Sequence, residues 1–170
     1  MMSIVACPRP VIAQVQGICS AAGCQIVASA DLAIAATNAT FATPGVDIGL
    51  FCSTPMVAVS RNMPRKKMME MLLTADIIDA ELAVEYGLIN HAVEPEALAA
   101  ETLALARKIA SKPQQTIALG KQAFYRQVEA PLEEAYNVSQ RVMVENMLTH
   151  DAEEGLSAFL EKRKPGWRDQ

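Results

Sequence analysis

The chain has 170 residues, of which 51% are hydrophobic and 20% charged, and its formal net charge at pH 7 is −4. These values predict a globular chain with a sizeable core, and the acidic balance argues against general nucleic-acid binding. No apolar run approaches the roughly 20 residues that span a membrane, and proline interrupts the N-terminal segment too early for a signal peptide.

The first predicted elements surround a stretch of very small residues. The run Val11 to Val15 is rich in β-branched residues and predicts a buried strand. Small side chains dominate Gly17 to Gly23, and the apolar residues Ile26, Val27 and Ala30 then recur at helical spacing. We therefore expect a strand that passes into a helix through a turn with little side-chain bulk.

Two interpretations of this turn stay open. The first N–H groups of a helix have no partner within it and carry the positive end of its dipole, so they suit a carbonyl oxygen that gains negative charge. Small residues at such a turn also allow a helix and a sheet to pack closely. The stretch lacks Gly-x-Gly-x-x-Gly and Gly-Lys-Ser/Thr and is therefore not a phosphate loop.

Further strands and helices are predicted up to residue 94. Strands are expected at Asp31 to Ala36, Thr40 to Thr43 and Leu88 to Val93, with a turn over Val46 to Leu50. Helices are expected from Pro55 to about Asn62, after Pro64, and after an N-cap at Asp79.

From residue 95 onward the pattern predicts helices, with Asp151 as the cap of the last one. We expect residues 1–94 to form an α/β part and residues 95–170 a helical region whose apolar stripes pack on another subunit. The spacing of Cys7, Cys19, Cys24 and Cys52 matches no disulfide framework or metal site. It predicts buried free thiols in a reducing compartment and no bound metal.

Short motifs run in order along nearly the whole chain: Pro10-Val11-Ile12-Ala13, Ala-Ala-Gly-Cys-Gln at 21–25, Asp31-Leu32-Ala33-Ile34-Ala35, Phe41-Ala42-Thr43-Pro44, Tyr86-Gly87-Leu88-Ile89, Ala110-Ser111-Lys112-Pro113 and Phe159 to Pro165. Together they resemble the crotonase superfamily, the enoyl-CoA hydratase/isomerase family. The resemblance implies an α/β spiral of ββα units with a C-terminal helical region, assembled as homotrimers or hexamers.

The resemblance also implies an activity. The ligands are acyl-CoA thioesters of fatty-acid metabolism, with coenzyme A as part of the substrate and no separate cofactor. The enzyme class is a hydratase-like lyase or an isomerase. The compartment is the cytoplasm for a bacterial source and the mitochondrial matrix for a eukaryotic one.

Several site residues follow from matching positions. The oxyanion turn falls on Ala22 and Gly23, where backbone N–H groups hold the thioester oxygen while an enolate forms. Basic residues near the C-terminus match a segment that reaches the CoA phosphates, with an aromatic residue near the adenine: Lys162, Arg163, Lys164 and Trp167. A solvated tail is the alternative for these cations.

The chain departs from the family at both catalytic acids. The two glutamates that activate water are replaced by Gln25 and Gly45. Neither residue accepts a proton at neutral pH, and each lost acid or base is worth about 10²–10⁴ in rate, so we expect hydration to be nearly absent. Asp47 is a weak candidate base, with a solvated or capping role as the alternative. The position of an isomerase aspartate falls near Ser53.

The chain also departs from the family in how much of the family pattern it contains. The chain matches the family pattern from its middle onward, so the earlier spiral turns and the second oxyanion N–H have no counterpart in it. Three hypotheses remain: an enzyme that stabilises a thioester enolate, a thioester hydrolase that uses Cys52 or Ser53 without an adjacent histidine, and a non-catalytic acyl-CoA-binding or assembly subunit.

Overall fold

The computed structural model describes residues 1–168. The helices are α1 (Met2–Val5), α2 (Ala22–Ser29), α3 (Pro55–Val59), α4 (Arg65–Thr74), α5 (Ala80–Glu85), α6 (Leu98–Ala110), α7 (Gln114–Gln127), α8 (Leu132–Met147) and α9 (His150–Leu160), with a 3₁₀ helix at Pro44–Ile48. The strands are β1 (Ile12–Val15), β2 (Ile18–Ser20), β3 (Leu32–Ala36), β4 (Thr40–Ala42), β5 (Ile78–Asp79) and β6 (His91–Val93).

The first four strands join two three-stranded sheets alternately. One sheet has the order β1-β3-β6 and is parallel, and the other has the order β2-β4-β5, in which only the β4–β5 pair is antiparallel. The strand pairs β1–β2 and β3–β4 each add one strand to both sheets, so the chain advances as a spiral. This is the ββα organisation that the resemblance implied.

The structure corrects the expected passage from β1 directly into a helix. A short strand, β2, lies between them and pairs in parallel with β4 from Ile18↔Thr40 to Ser20↔Ala42. Sequence periodicity could not find β2, because three residues are too few to show alternation and two of them are small. The turn predicted over Val46 to Leu50 is also different, since the 3₁₀ helix begins at Pro44 and ends before Gly49.

Internal contacts divide the chain into two compact units, each considered by itself below. The core unit comprises Met1–Val5 and Val11–Leu105, and the helical unit comprises Ala6–Pro10 and the chain from Ala106 onward. The predicted boundary after residue 94 stays a prediction.

The core unit contains the buried apolar clusters of the described residues. Phe41 and Val59 are 0% exposed, and Met68 and Met71 on α4 are 2% exposed. The predicted N-cap at Asp79 is confirmed, because its Oδ1 accepts the Leu82 N–H at 2.8 Å at the start of α5.

The helical unit pairs α7 with α8 and packs α9 against α8. The predicted cap at Asp151 is wrong: Thr149 is the N-cap of α9, and its Oγ1 accepts the Ala152 N–H at 3.2 Å. Asp151 is the second residue of α9 and lies in its first turn, where acidic residues favour a helix start. Within residues 1–168 we find no helix that is both long and apolar enough to cross a membrane.

Candidate functional site

The turn between β2 and α2 is held in an uncommon backbone conformation. Ala21 has φ 46° and ψ −106°, a region that non-glycine residues rarely occupy. Its N–H donates to the Ala42 carbonyl at 2.9 Å, and its carbonyl accepts the Gln25 N–H at 3.2 Å. The hydrogen bond to β4 and the first turn of α2 together fix the direction in which the next residue points.

Ala22 is the first residue of α2, and its surface is exposed. Within residues 1–168, neither the Ala22 nor the Gly23 N–H donates a backbone hydrogen bond outside α2, and a helix offers no internal partner to its first N–H groups. The Ala22 N–H therefore lies at the positive end of the helix dipole and is available to an oxygen atom.

Two thiols lie behind this turn. The Cys24 Sγ–H points to the carbonyls of Cys19 at 3.1 Å and of Ala42 at 3.3 Å. The side chains of Cys19 and Cys24 also interact with each other, which lowers the pKa of Cys19 and, with burial, raises that of Cys24. Cys19, Cys24 and Cys52 are buried free thiols, as predicted, whereas the thiol of Cys7 is free but only half-buried, so the prediction of burial is wrong for Cys7.

Gln25 is the fourth residue of α2 and is half-buried. Its carbonyl accepts the Ser29 Oγ–H at 2.7 Å, so its backbone is fixed within the helix. The side-chain amide can donate and accept hydrogen bonds but takes up no proton at neutral pH. It can orient a ligand oxygen or a water molecule and cannot act as a general base.

Gly45 lies in the 3₁₀ helix and is buried. A Cβ on this residue would lie 3.0 Å from both the Cys52 Sγ and the Leu50 carbonyl oxygen, and 3.1 Å from the Cys52 N. A side chain here requires Leu50 and Cys52 to shift by a few tenths of an ångström. Sequence reasoning identified the missing acid but not this packing, since nothing in the sequence shows that Leu50 and Cys52 close over Gly45.

The other polar candidates lie at the surface of the core unit. Asp47 is exposed in the first turn of the 3₁₀ helix. Ser53 is also exposed, and its Oγ donates to the Phe51 carbonyl at 3.2 Å. His91 is exposed on β6, and in the helical unit His150 is exposed at the start of α9. Among residues 1–168, none of them has a hydrogen-bond or ion-pair partner that would activate a nucleophile.

The C-terminal cations belong to the helical unit. The Arg163 guanidinium binds Glu154 through Nη1 at 2.6 Å and Nη2 at 2.8 Å, and its Nε binds Glu161 at 2.6 Å. The Trp167 ring lies 3.4 Å from the position of a Cβ on Gly155. Arg163 is thus engaged by carboxylates of its own chain, and the exposed cations beside it are Lys162 and Lys164.

Comparison with known proteins gives a consistent result. A family model described as enoyl-CoA hydratase/isomerase matches residues 1–170. Enoyl-CoA hydratase domain-containing protein 3 of Mus musculus, named as mitochondrial, is 48% identical over 98% of this chain and 56% of its own length. The crotonyl-CoA hydratase of Syntrophomonas wolfei is 36% identical over 95% of this chain and 62% of its own length.

Solved structures agree. An enoyl-CoA hydratase of Mycobacterium smegmatis superposes with a TM-score of 0.96 at 50% identity, covering 98% of this chain and 65% of that one. Human enoyl coenzyme A hydratase domain-containing protein 3 superposes with a TM-score of 0.95 at 49% identity, covering 98% and 66%. This chain therefore spans less than two thirds of the length of these relatives.

Proposed function

Because the chain belongs to the enoyl-CoA hydratase/isomerase family, as its motifs predicted, we propose that it binds acyl-CoA thioesters and holds the thioester oxygen at the Ala22 N–H. The observation that carries this proposal is the position of Ala22, an exposed residue at the start of α2 whose N–H has no backbone partner outside that helix among residues 1–168. One such donor is typically worth about 2.7–4 kcal/mol in the stabilisation of a developing oxyanion.

We further propose that the chain does not hydrate its thioester ligand by the two-glutamate route of the family. Gln25 supplies a neutral amide, and Gly45 has no space for a side chain unless Leu50 and Cys52 move. The chain then stabilises an enolate without activating water. The packing around Gly45 also favours the alternative proposal, a non-catalytic acyl-CoA-binding or assembly subunit, because it closes the position that an acid would occupy.

A binding experiment tests the role of Ala22. The variant Ala22→Leu places a bulky side chain beside the proposed donor on an exposed residue, and Ala99→Leu makes the same change on an exposed alanine in the first turn of α6. By calorimetry with crotonyl-CoA, we expect Ala22→Leu to weaken binding by at least about tenfold, which corresponds to about 1.4 kcal/mol, and Ala99→Leu to bind as the unaltered chain does. Equal binding by both variants would contradict the proposal.

A hydration assay tests the proposed loss of the two catalytic acids. We expect the unaltered chain to show no family-like hydration of crotonyl-CoA, and turnover at such a rate would overturn the loss of the acids. A Gln25→Glu, Gly45→Glu double variant is expected to stay inactive, because the new side chain meets Cys52 and Leu50. Adding Cys52→Gly removes the sulfur but leaves the Leu50 carbonyl oxygen and the Cys52 N in place. Activity in the double or the triple variant would show that this packing yields and that the scaffold is intact.

The helical unit supports a proposal about assembly. Large apolar side chains on α9 and directly after α8 are highly exposed, with Leu148 at 83%, Phe159 at 80% and Leu160 at 78%. A groove of about 310 Å³ also runs between α7 and α8 and is bordered by exposed Phe124 and Met143. We propose that further copies of the chain cover these faces in a homotrimer or hexamer. A single chain in sedimentation, with and without acyl-CoA, would count against this assembly.

The place in metabolism follows from the same family membership. We propose a role in acyl-CoA or fatty-acid metabolism, in the mitochondrial matrix for a eukaryotic source and in the cytoplasm for a bacterial one. The names of the mouse and human relatives, which include the word mitochondrial, support the first of these.

A further inference from the structure

The thiols of Cys19 and Cys24 flank the turn that carries the Ala22 amide. Cys19 is the second residue of β2 and Cys24 the third residue of α2, so a bond between them would tie the strand to the helix on either side of Ala21 and Ala22. Both are buried, with Cys19 at 6% and Cys24 at 0% exposure. Neither takes part in the proposed binding of a thioester.

Both sulfur atoms lie at the first turn of α2. The Cys24 Sγ lies 3.1 Å from the Cys19 carbonyl oxygen. The Cys19 Sγ lies 3.4 Å from the position of a Cβ on Gly23, so it faces the first turn of the helix. A disulfide needs two cysteines whose side chains already approach each other, because its geometry is narrow.

We propose that Cys19 and Cys24 are a modification site, where a peroxide forms a reversible disulfide behind the Ala22 turn. The Cys19 thiolate attacks one peroxide oxygen, the O–O bond breaks, and the departing hydroxide takes up a proton to give water and a sulfenic acid. The Cys24 sulfur then attacks the Cys19 sulfur, the S–O bond breaks, and the leaving hydroxide takes the Cys24 proton. Two thiols lose two electrons, and one peroxide becomes two waters.

The order of the two steps follows from the environments of the thiols. Cys19 has the lowered pKa and the greater exposure, so it is the attacking thiolate, and Cys24, with its raised pKa, resolves the sulfenic acid. The disulfide sulfur of Cys24 has no hydrogen and gives up its contacts with the Cys19 and Ala42 carbonyls. The turn must adjust, and the Ala22 amide with it.

Peptide mapping by mass spectrometry tests the site directly. After treatment of the full chain with hydrogen peroxide, we expect a link between Cys19 and Cys24, a mass loss of about 2 Da, and reversal by dithiothreitol. Cys19→Ser and Cys24→Ser are expected not to form the link, whereas Cys7→Ser, as the matched control, forms it. Circular dichroism of each variant identifies any that fail to fold, and for those the mapping of the unaltered chain decides the proposal.

A link of Cys19 or Cys24 to any other cysteine, or their oxidation without a link, would overturn the proposal. The consequence for ligand binding rests on the proposed function and is measured separately. We expect the oxidised chain to bind crotonyl-CoA at least about tenfold more weakly, since a small displacement of a positioned group has effects of that size or larger. A mapped link with unchanged crotonyl-CoA binding would leave the modification site intact and count against the Ala22 amide as the thioester donor.

Discussion

The core unit and the helical unit bury their apolar side chains to very different extents. The apolar clusters of the described residues lie in the core unit, where Phe41 and Val59 are 0% exposed. The buried apolar residues of the helical unit, over its described part, are Val138 and Ala158, although α7, α8 and α9 carry amphipathic patterns. The core unit is therefore stabilised by apolar clusters of its own. The helices α7, α8 and α9 instead expose apolar faces of the kind that oligomeric proteins cover with another chain.

Both units contain phenylalanine, so truncating one in each unit tests this difference and has the largest expected effect on stability. We expect Phe41→Ala to lower the free energy of unfolding by about 3–5 kcal/mol, because it leaves a cavity in a closed core. Phe159→Ala removes a side chain that is 80% exposed and should change stability by at most about 0.5 kcal/mol. Urea unfolding at a concentration where sedimentation shows a single chain measures both. Losses of equal size would mean that Phe159 is buried in solution.

Substitution of Phe159 should affect self-association strongly, in contrast to its small effect on the free energy of unfolding. If a second copy covers the exposed face of α9, Phe159→Asp places a charge in that interface and weakens association by about 3 kcal/mol or more. Sedimentation over a range of concentrations measures the change. Ile77→Asp is the matched control, since Ile77 is 67% exposed in the core unit. If Ile77→Asp weakened self-association and Phe159→Asp did not, the interface would lie on the core unit and not on the helical unit.

Much of the fold could be predicted from the sequence, and the exceptions share a physical cause. Strands β1 and β3 and the cap at Asp79 were found because periodicity and cap chemistry are local signals. Strand β2 is too short for periodicity and exists through its pairing with β4. At the site, the roles of Ala22 and of Gly45 as the position of a missing acid stay predictions, and the closure by Leu50 and Cys52 is a tertiary contact without a local signal.

The N-caps of α5 and α9 allow the same type of substitution to be compared in the two units. Asp79→Ala in the core unit and Thr149→Ala in the helical unit each remove a side chain that accepts an N–H at a helix start. We expect each to cost about 1 kcal/mol, measured by thermal unfolding. If α9 unfolds on its own before the core unit, Thr149→Ala will shift an early transition only. Asp151→Ala should cost less than Thr149→Ala, because Thr149 is the residue that accepts the Ala152 N–H.

The smallest effect is confined to the end of the chain. Hydrogen bonds from Arg163, and then from the Gly166 N–H, lower the pKa of Glu154 from 4.5 to about 2. Because the folded-state pKa is depressed, this contribution is complete above about pH 4.5 and is lost as the pH falls through about 2. Trp167, the single tryptophan, packs on Gly155 beside these groups, so its fluorescence reports the docked segment.

The variant Glu154→Gln separates this local effect from general acid unfolding. At neutral pH it removes the carboxylate that binds both Arg163 and the Gly166 N–H, so we expect the Trp167 emission to shift toward that of an exposed indole. Glu161→Gln removes only the Nε contact of Arg163 and should leave the emission unchanged. The unfolding midpoint should change little in either variant, because exposed ion pairs contribute little to global stability. A midpoint that fell with Glu154→Gln would show that the helical unit depends on its C-terminal segment as the core unit depends on Phe41.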